Sequence, residues 1–255
     1  MKSFTCIHPI RYALAGAAGA LFICMGSAQI LVSTSPASLS AEQIVNRMQM
    51  HDRAQMEALG SYQALRHYVI EYRSIFKTLI AKMDVEVKYD GSSGKTFQIV
   101  SESGSHALCE RVLQRAVDSE REASLNRSAT ALTNANYKFR LVGSEILNGR
   151  AAYILEVDPI TPSKFLYRGR IWVDEIDFAV ARMEVQPGKN PLFWISKTVI
   201  HHTNMNTGGF WLPQQNRSET KVRIGGTAVL TIDYGTYLIL PRHLESVAQG
   251  EDGVR

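Results

Sequence analysis

From Leu79 to Tyr89 the chain alternates without a break. Leu79, Ala81, Met83, Val85, Val87 and Tyr89 stand at one parity, and Ile80, Lys82, Asp84, Glu86 and Lys88 at the other. Successive side chains of a strand point to opposite faces, so this segment has one apolar and one mostly charged face. Such a strand belongs in an antiparallel sheet with a core on one side and water on the other. The segment before it, Tyr62 to Arg73, places Tyr62, Ala64, Arg66, Tyr68, Ile70 and Tyr72 at one parity. Gln63, Leu65, His67, Val69, Glu71 and Arg73 occupy the other, and Arg66 is the single charge on the more apolar side.

Further strand signals run to the C-terminus. Asp90-Gly91 and Gly94 turn the chain into a third strand near 95–101. Tyr137 to Ile146 and Ala151 to Asp158 flank Asn148-Gly149, a dipeptide suited to two-residue hairpin turns. Phe165 to Glu184 reads as a hairpin with a polar turn at Asp174 to Asp177. Phe193 to Met205 and Phe210 to Ile224 join through Thr207-Gly208-Gly209, and Gly225-Gly226 leads into a last strand over 228–240. Helical period appears twice. Ser40-Ala41-Glu42-Gln43 is a capping box opening a helix that runs to about Ala58 and stops at Gly60. Leu108, Val112, Leu113, Ala116 and Val117 recur at helical spacing within 106–125, and 126–136 is a polar loop. The expected class is α+β: a large curved antiparallel sheet of about 10–11 strands with two main helices covering its concave face.

Two segments carry a family resemblance. Gly169-Arg170-Ile171-Trp172-Val173-Asp174, followed by Asp177-Phe178 and Arg182-Met183-Glu184, resembles the central hairpin of the outer-membrane lipoprotein-sorting (LolA/LolB-like) superfamily. Gly209-Phe210-Trp211-Leu212-Pro213 is similar to the glycine-, tryptophan- and proline-bearing turn before that family's penultimate strand. The resemblance implies a sheet curled into an unclosed half-barrel, with helices over an apolar cavity. It also implies lipid or acyl-chain carriage rather than catalysis. The superfamily includes carriers, their receptors and stress-sensing domains, and these motifs do not choose among them.

The first 28 residues have the pattern of a signal peptide: basic Lys2 and Arg11, an apolar run from Tyr12 to Met25, then Gly26-Ser27-Ala28. Cleavage after Ala28 is expected, with an uncleaved N-terminal anchor as the alternative. Lipidation at Cys24 fits poorly, because Ile23 stands where a small residue is needed. Beyond the signal, 29–39 reads as a disordered tether, 40–241 as the half-barrel domain and 242–255 as a flexible tail. Removing Lys2 and Arg11 takes the balance from 28 basic against 24 acidic residues to 26 against 24, a net charge of +2. That near-neutral balance gives no argument for nucleic-acid binding. Cys109 is left alone, so no intramolecular disulfide forms. The expected location is the periplasm.

The groups that could carry chemistry read as having ordinary structural roles. No phosphate loop, Gly-x-Ser-x-Gly elbow or His-Glu-x-x-His occurs. His201 and His202 are adjacent on a strand and face opposite ways. His106 and Cys109, three apart on a helix, lack further soft ligands, and Cys109 reads as a small buried hydrophobe. Asp174, Glu175 and Asp177 read as turn residues. No enzyme, metal or cofactor is expected.

The expected function is a non-enzymatic carrier or sensor that binds lipid, or the acyl chains of a lipidated protein, in an apolar cavity. The alternative is an envelope protein-interaction or stress-sensing scaffold with a filled core. The candidate cavity wall is Tyr62, Arg66, Tyr68, Ile70, Tyr72, Leu79, Met83, Val85, Val87 and Tyr89. Arg66 has two readings: it extends to water from a strand end, or it reaches across the cavity mouth to the carbonyls of a covering helix. Carriers in the resembled superfamily hold their lid with an inward arginine early in the sheet, which implies the second.

Overall fold

A computed structural model describes residues 39–189, 195–223 and 225–242. The signal segment, Cys24, nearly all of the tether, Trp194 and the tail after Arg242 lie outside the described residues.

The capping box forms as the sequence predicts: Ser40 Oγ accepts from the Gln43 amide at 3.2 Å, and the Ser40 amide donates to Gln43 Oε1 at 2.9 Å. It opens helix α1 (Ala41–Ala58), whose buried stripe is Ile44, Val45 and Met48. The stripe does not continue, and Met56 is exposed. Gln55 instead clamps the Trp211 backbone, accepting from its N–H at 2.7 Å and donating to its carbonyl at 3.1 Å. Gly60 is not the stop. The chain passes directly from α1 into strand β1 (Leu59–Arg73), with Leu59 already extended, and Gly60 sits at a bulge between Leu59 and Ser61.

After β1 come β2 (Thr78–Asp90) and β3 (Gly94–Gly104). A composite helical run follows: α2 (His106–Leu108), a π-helix π1 (Cys109–Gln114), α3 (Arg115–Leu125) and α4 (Arg127–Thr130). The expected polar loop therefore contains one short helix. The remaining strands are β4 (Tyr137–Leu147), β5 (Arg150–Pro159), β6 (Tyr167–Asp174), β7 (Val180–Pro187), β8 (Ile195–Thr207), β9 (Phe210–Val222), β10 (Gly226–Tyr234) and β11 (Leu238–Pro241). Asn148 and Gly149 both take positive φ, 52° and 82°, and this matches the twist of β4 and β5.

All pairings are antiparallel, in the order β3-β2-β1-β10-β9-β8-β7-β6-β5-β4, with β11 also on β1. The outer strands β3 and β4 do not pair with each other, so the eleven-stranded sheet is an unclosed half-barrel. The single last strand expected over 228–240 is two. β10 registers on Arg66–Arg73 and β11 on Leu59–Gln63, while the Gly235 amide donates to Leu65 O where the chain leaves the ladder.

The concave side holds two apolar clusters. In one, Cys109, Leu113 and Val117 of the helical run pack on β1, β2, β9 and β10. In the other, Ile44, Val45 and Met48 of α1 pack on β4 to β7. Between them runs a polar seam. Asn216, Ser218 and Thr220 of β9 register beside Ile232, Leu230 and Ala228 of the first cluster, and beside His202, Ile200 and Thr198 of β8. The Thr198 and Thr220 hydroxyls are 3.1 Å apart.

Candidate functional site

The two parities read from the sequence meet as direct cross-strand partners. Tyr62 faces Tyr89, Ala64 faces Val87, Arg66 faces Val85, Tyr68 faces Met83, and Tyr72 faces Leu79. Ile70 faces Ala81. Of the ten candidate wall residues, eight are buried, and Tyr72 and Leu79, at the far end of the hairpin, are half-buried. The Tyr62 and Tyr89 rings stack at 5.3 Å, and Tyr237 meets Tyr62 edge-on at 5.3 Å. Cavities walled by described residues lie elsewhere, for example one of about 610 Å³ bounded by Lys138, Arg140, Glu156, Asp158, Arg168 and Glu184.

Over this wall sits the run 106–125, which we call the cover. Its grip on the sheet is narrow. Cys109, Leu113 and Val117 are its buried residues, neither α2 nor α3 has a side-chain N-cap bond, and a π-helix interrupts it. Long π stretches are rare and concentrate at functional sites.

One charged pair joins cover and wall. Arg66 is fully buried, and its Nη1 donates to Glu120 Oε2 of α3 at 2.6 Å. Lys95 of β3 donates to the other oxygen of Glu120 at 3.2 Å. The Arg66 guanidinium lies 4.6 Å from the Tyr234 ring centre and 5.8 Å from that of Phe97. Arg66 therefore does not extend to water. It reaches the covering helix, and its acceptor there is a carboxylate rather than a backbone carbonyl. Burial opposes the charge on Glu120, but Lys95 and Arg66 outweigh it and hold the carboxyl below its ordinary range. Burial likewise opposes the charge on Arg66, and the neighbouring Glu120 reverses the balance.

Two guanidinium donors remain unused. Arg66 Nε and Nη2 are buried without a hydrogen-bond partner, and so is Tyr68 Oη. Burial raises the Tyr68 phenol pKa, while the Arg66 charge beside it acts the other way; the two approach without a well-aligned hydrogen bond. A buried donor left unmatched costs about 1–3 kcal/mol. His202, across the seam, is neutral in character: burial lowers its pKa, and its ring bonds Asn204 Oδ1 at 3.0 Å and Asn216 Nδ2 at 3.3 Å. His201 points the other way, toward Glu184 at 3.5 Å, as the strand parity predicts.

Sequence reasoning found Arg66 because a charge interrupts an alternation. It missed Glu120, Lys95, Tyr234 and His202, which come from four other elements. Glu120 lies among Asp118, Arg121 and Glu122, where nothing local separates it from a solvated helix face. Elsewhere, Asp174 and Asp177 do serve their turn, since Asp174 Oδ1 accepts from the Ile176 and Asp177 amides. They also bind Arg150, and Asp177 accepts from Trp211 Nε1 at 2.9 Å. On the convex face Asp84 bridges His67 and Ser101, but the carboxylate stands between imidazole and hydroxyl, so no base touches the hydroxyl. Cys109 is buried with its Sγ toward Ser103 O at 3.8 Å. No group of three metal-ligating side chains occurs among the described residues.

No protein-family model matches the sequence, and no curated protein does. Among solved structures the chain is similar to a DUF1329 family protein from Desulfovibrio piger, at 16% identity over 78% of this chain and 93% of that one, with a TM-score of 0.43. It is similar to a domain described as outer membrane lipoprotein-sorting from Vibrio parahaemolyticus, at 11% identity over 78% and 93%, with a TM-score of 0.41. A LolA superfamily protein from Nitrosomonas europaea is similar at 13% identity over 80% and 94%, with a TM-score of 0.33. At these identities and TM-scores the likeness carries no residue role across to this chain.

Proposed function

We propose that this protein is a non-enzymatic carrier or sensor of the cell envelope. It would take lipid, or the acyl chains of a lipidated protein, between the β1–β2 wall and the 106–125 cover. The observation that carries this reading is the Arg66–Glu120 pair. A fully buried arginine in an apolar wall needs an acceptor, and this one finds it in the cover, tying the cover to that wall through a charge-assisted bond. Opening exposes the faces of Tyr68, Ile70, Met83 and Val85. An acyl chain laid there gains about 0.8 kcal/mol for each CH₂ removed from water. The signal-like N-terminus supports a periplasmic location.

A second reading has its own observation. Tyr68, Ile70, Met83, Val85 and Val87 are each no more than 1% exposed, as in a finished core. On that reading the domain binds a protein partner of the envelope by its edge or hairpins, and the cover stays shut. Native mass spectrometry of protein extracted gently from its source separates the two. The carrier reading expects bound lipid, and displacement of an apolar dye by acyl ligands. A protein that is uniformly ligand-free, and that ignores dye, lipids and lipopeptides, contradicts it.

A further inference from the structure

The unused part of Arg66 has a specific shape. Nε and Nη2 together form the side-on edge of the guanidinium, which fits both oxygens of a carboxylate. The same chain shows the fit elsewhere: Arg150 gives Nε to Asp174 Oδ2 at 2.5 Å and Nη2 to Asp174 Oδ1 at 2.7 Å. At Arg66 this edge is buried and unmatched, because Glu120 is met through Nη1 alone. The charge count agrees with the geometry. Arg66 and Lys95 bring two positive charges against the single negative charge of Glu120, and the buried His202 adds none. The group is one anion short.

We propose that the Nε–Nη2 edge of Arg66 receives the carboxylate of a long-chain fatty acid, with Tyr68 Oη as a further donor beside it. The acyl chain lies along the apolar wall toward Met83 and Val87, and the cover closes over it. This assignment rests on the carrier reading above and narrows its ligand class to a chain ending in a single negative charge. Glu120 holds Nη1 whenever the cover is closed, so holding the cover and holding the headgroup use different edges of one side chain.

The test compares cis-parinaric acid with its methyl ester at pH 8, titrated by fluorescence into the wild-type protein. The acid is expected to bind at least about ten-fold more tightly than the ester. Lys95→Met, which removes one positive charge from a partly exposed position, shrinks that preference. Glu120→Gln, which leaves two positive charges without a partner, enlarges it. Arg66→Met abolishes it while ester binding persists; if that variant does not fold, the opposite shifts in the other two variants carry the test. Equal affinity for acid and ester in the wild type, or a preference that Lys95→Met and Glu120→Gln leave in place, overturns the headgroup assignment and leaves the carrier reading standing. Binding of neither probe overturns both.

Discussion

Asp174 shows how much a single side chain can hold. It is 1% exposed, and its carboxylate takes both donors of the Arg150 edge and two backbone amides of its own turn. Burial opposes its ionisation, but these donors outweigh that and hold its pKa below the ordinary carboxylate value. The sign follows from the linkage of proton binding to folding. A depressed folded-state pKa adds stability that is fully present above the unfolded value of about 3.9 and is lost as pH falls through the folded one. Asp174→Asn is expected to cost about 1.5–3 kcal/mol in urea denaturation at pH 7. The cost should diminish as pH falls below about 3.9, where the unfolded chain begins to bind the proton, and vanish below the lower folded-state pKa, where the wild type loses the same interaction. A cost that is the same at pH 7 and pH 3 would show that the charge is not what matters.

At the scale of elements, the cover and the wall differ in how firmly they are held. β1 is central, paired to β2 along its whole length and to β10 and β11 on its other side. The cover leaves β3 through Gly104, whose φ of +91° favours glycine and where any Cβ would stand 2.4 Å from the Ile80 carbonyl oxygen. It then rests on three buried side chains, the partly buried Leu108, Val112 and Ala116, and a few polar bonds, chiefly those of Glu120 to Arg66 and Lys95. Elements with few buried contacts open locally, well below the cost of global unfolding. Hydrogen exchange is therefore expected to be faster in 106–125 than in β1 and β2, and Glu120→Ala should accelerate the cover alone. Equal protection of cover and wall, or acceleration spread over the whole sheet in that variant, would mean that cover and sheet open as one unit.

This contrast also explains what was legible in the sequence. The β1–β2 pairing was readable because period-two alternation is local, and the register then aligned the two parities residue for residue. The Asn148-Gly149 hairpin was readable because only a few residue types accept its backbone. The split between β10 and β11 was not, because it arises where the strand changes its position along β1 opposite Leu65. Nor was Glu120 readable as the partner of Arg66, since 54 residues of chain separate them and a carboxylate on a charged helix has no local mark.

Across the whole molecule, charge and apolarity are sorted between the two faces of one sheet. On the convex side, register places Arg140, Glu156, Arg170, Glu184, His201 and Arg217 in one row across six strands. Opposite charges side by side favour this register over a slipped one. On the concave side two apolar clusters flank a polar seam, and each cluster has its own helical cover. The cover bearing Glu120 is tied to its wall by a salt bridge, and on the proposed function this tie governs access to the wall beneath. The most direct measurement is the exchange rate of a neutral acyl-ester probe in wild type and in Arg66→Leu, with the fold of both checked by circular dichroism. Loss of a charge-assisted bond worth about 1.5–3 kcal/mol predicts exchange faster by roughly ten- to hundred-fold in Arg66→Leu. An unchanged exchange rate in a folded Arg66→Leu protein would contradict the claim.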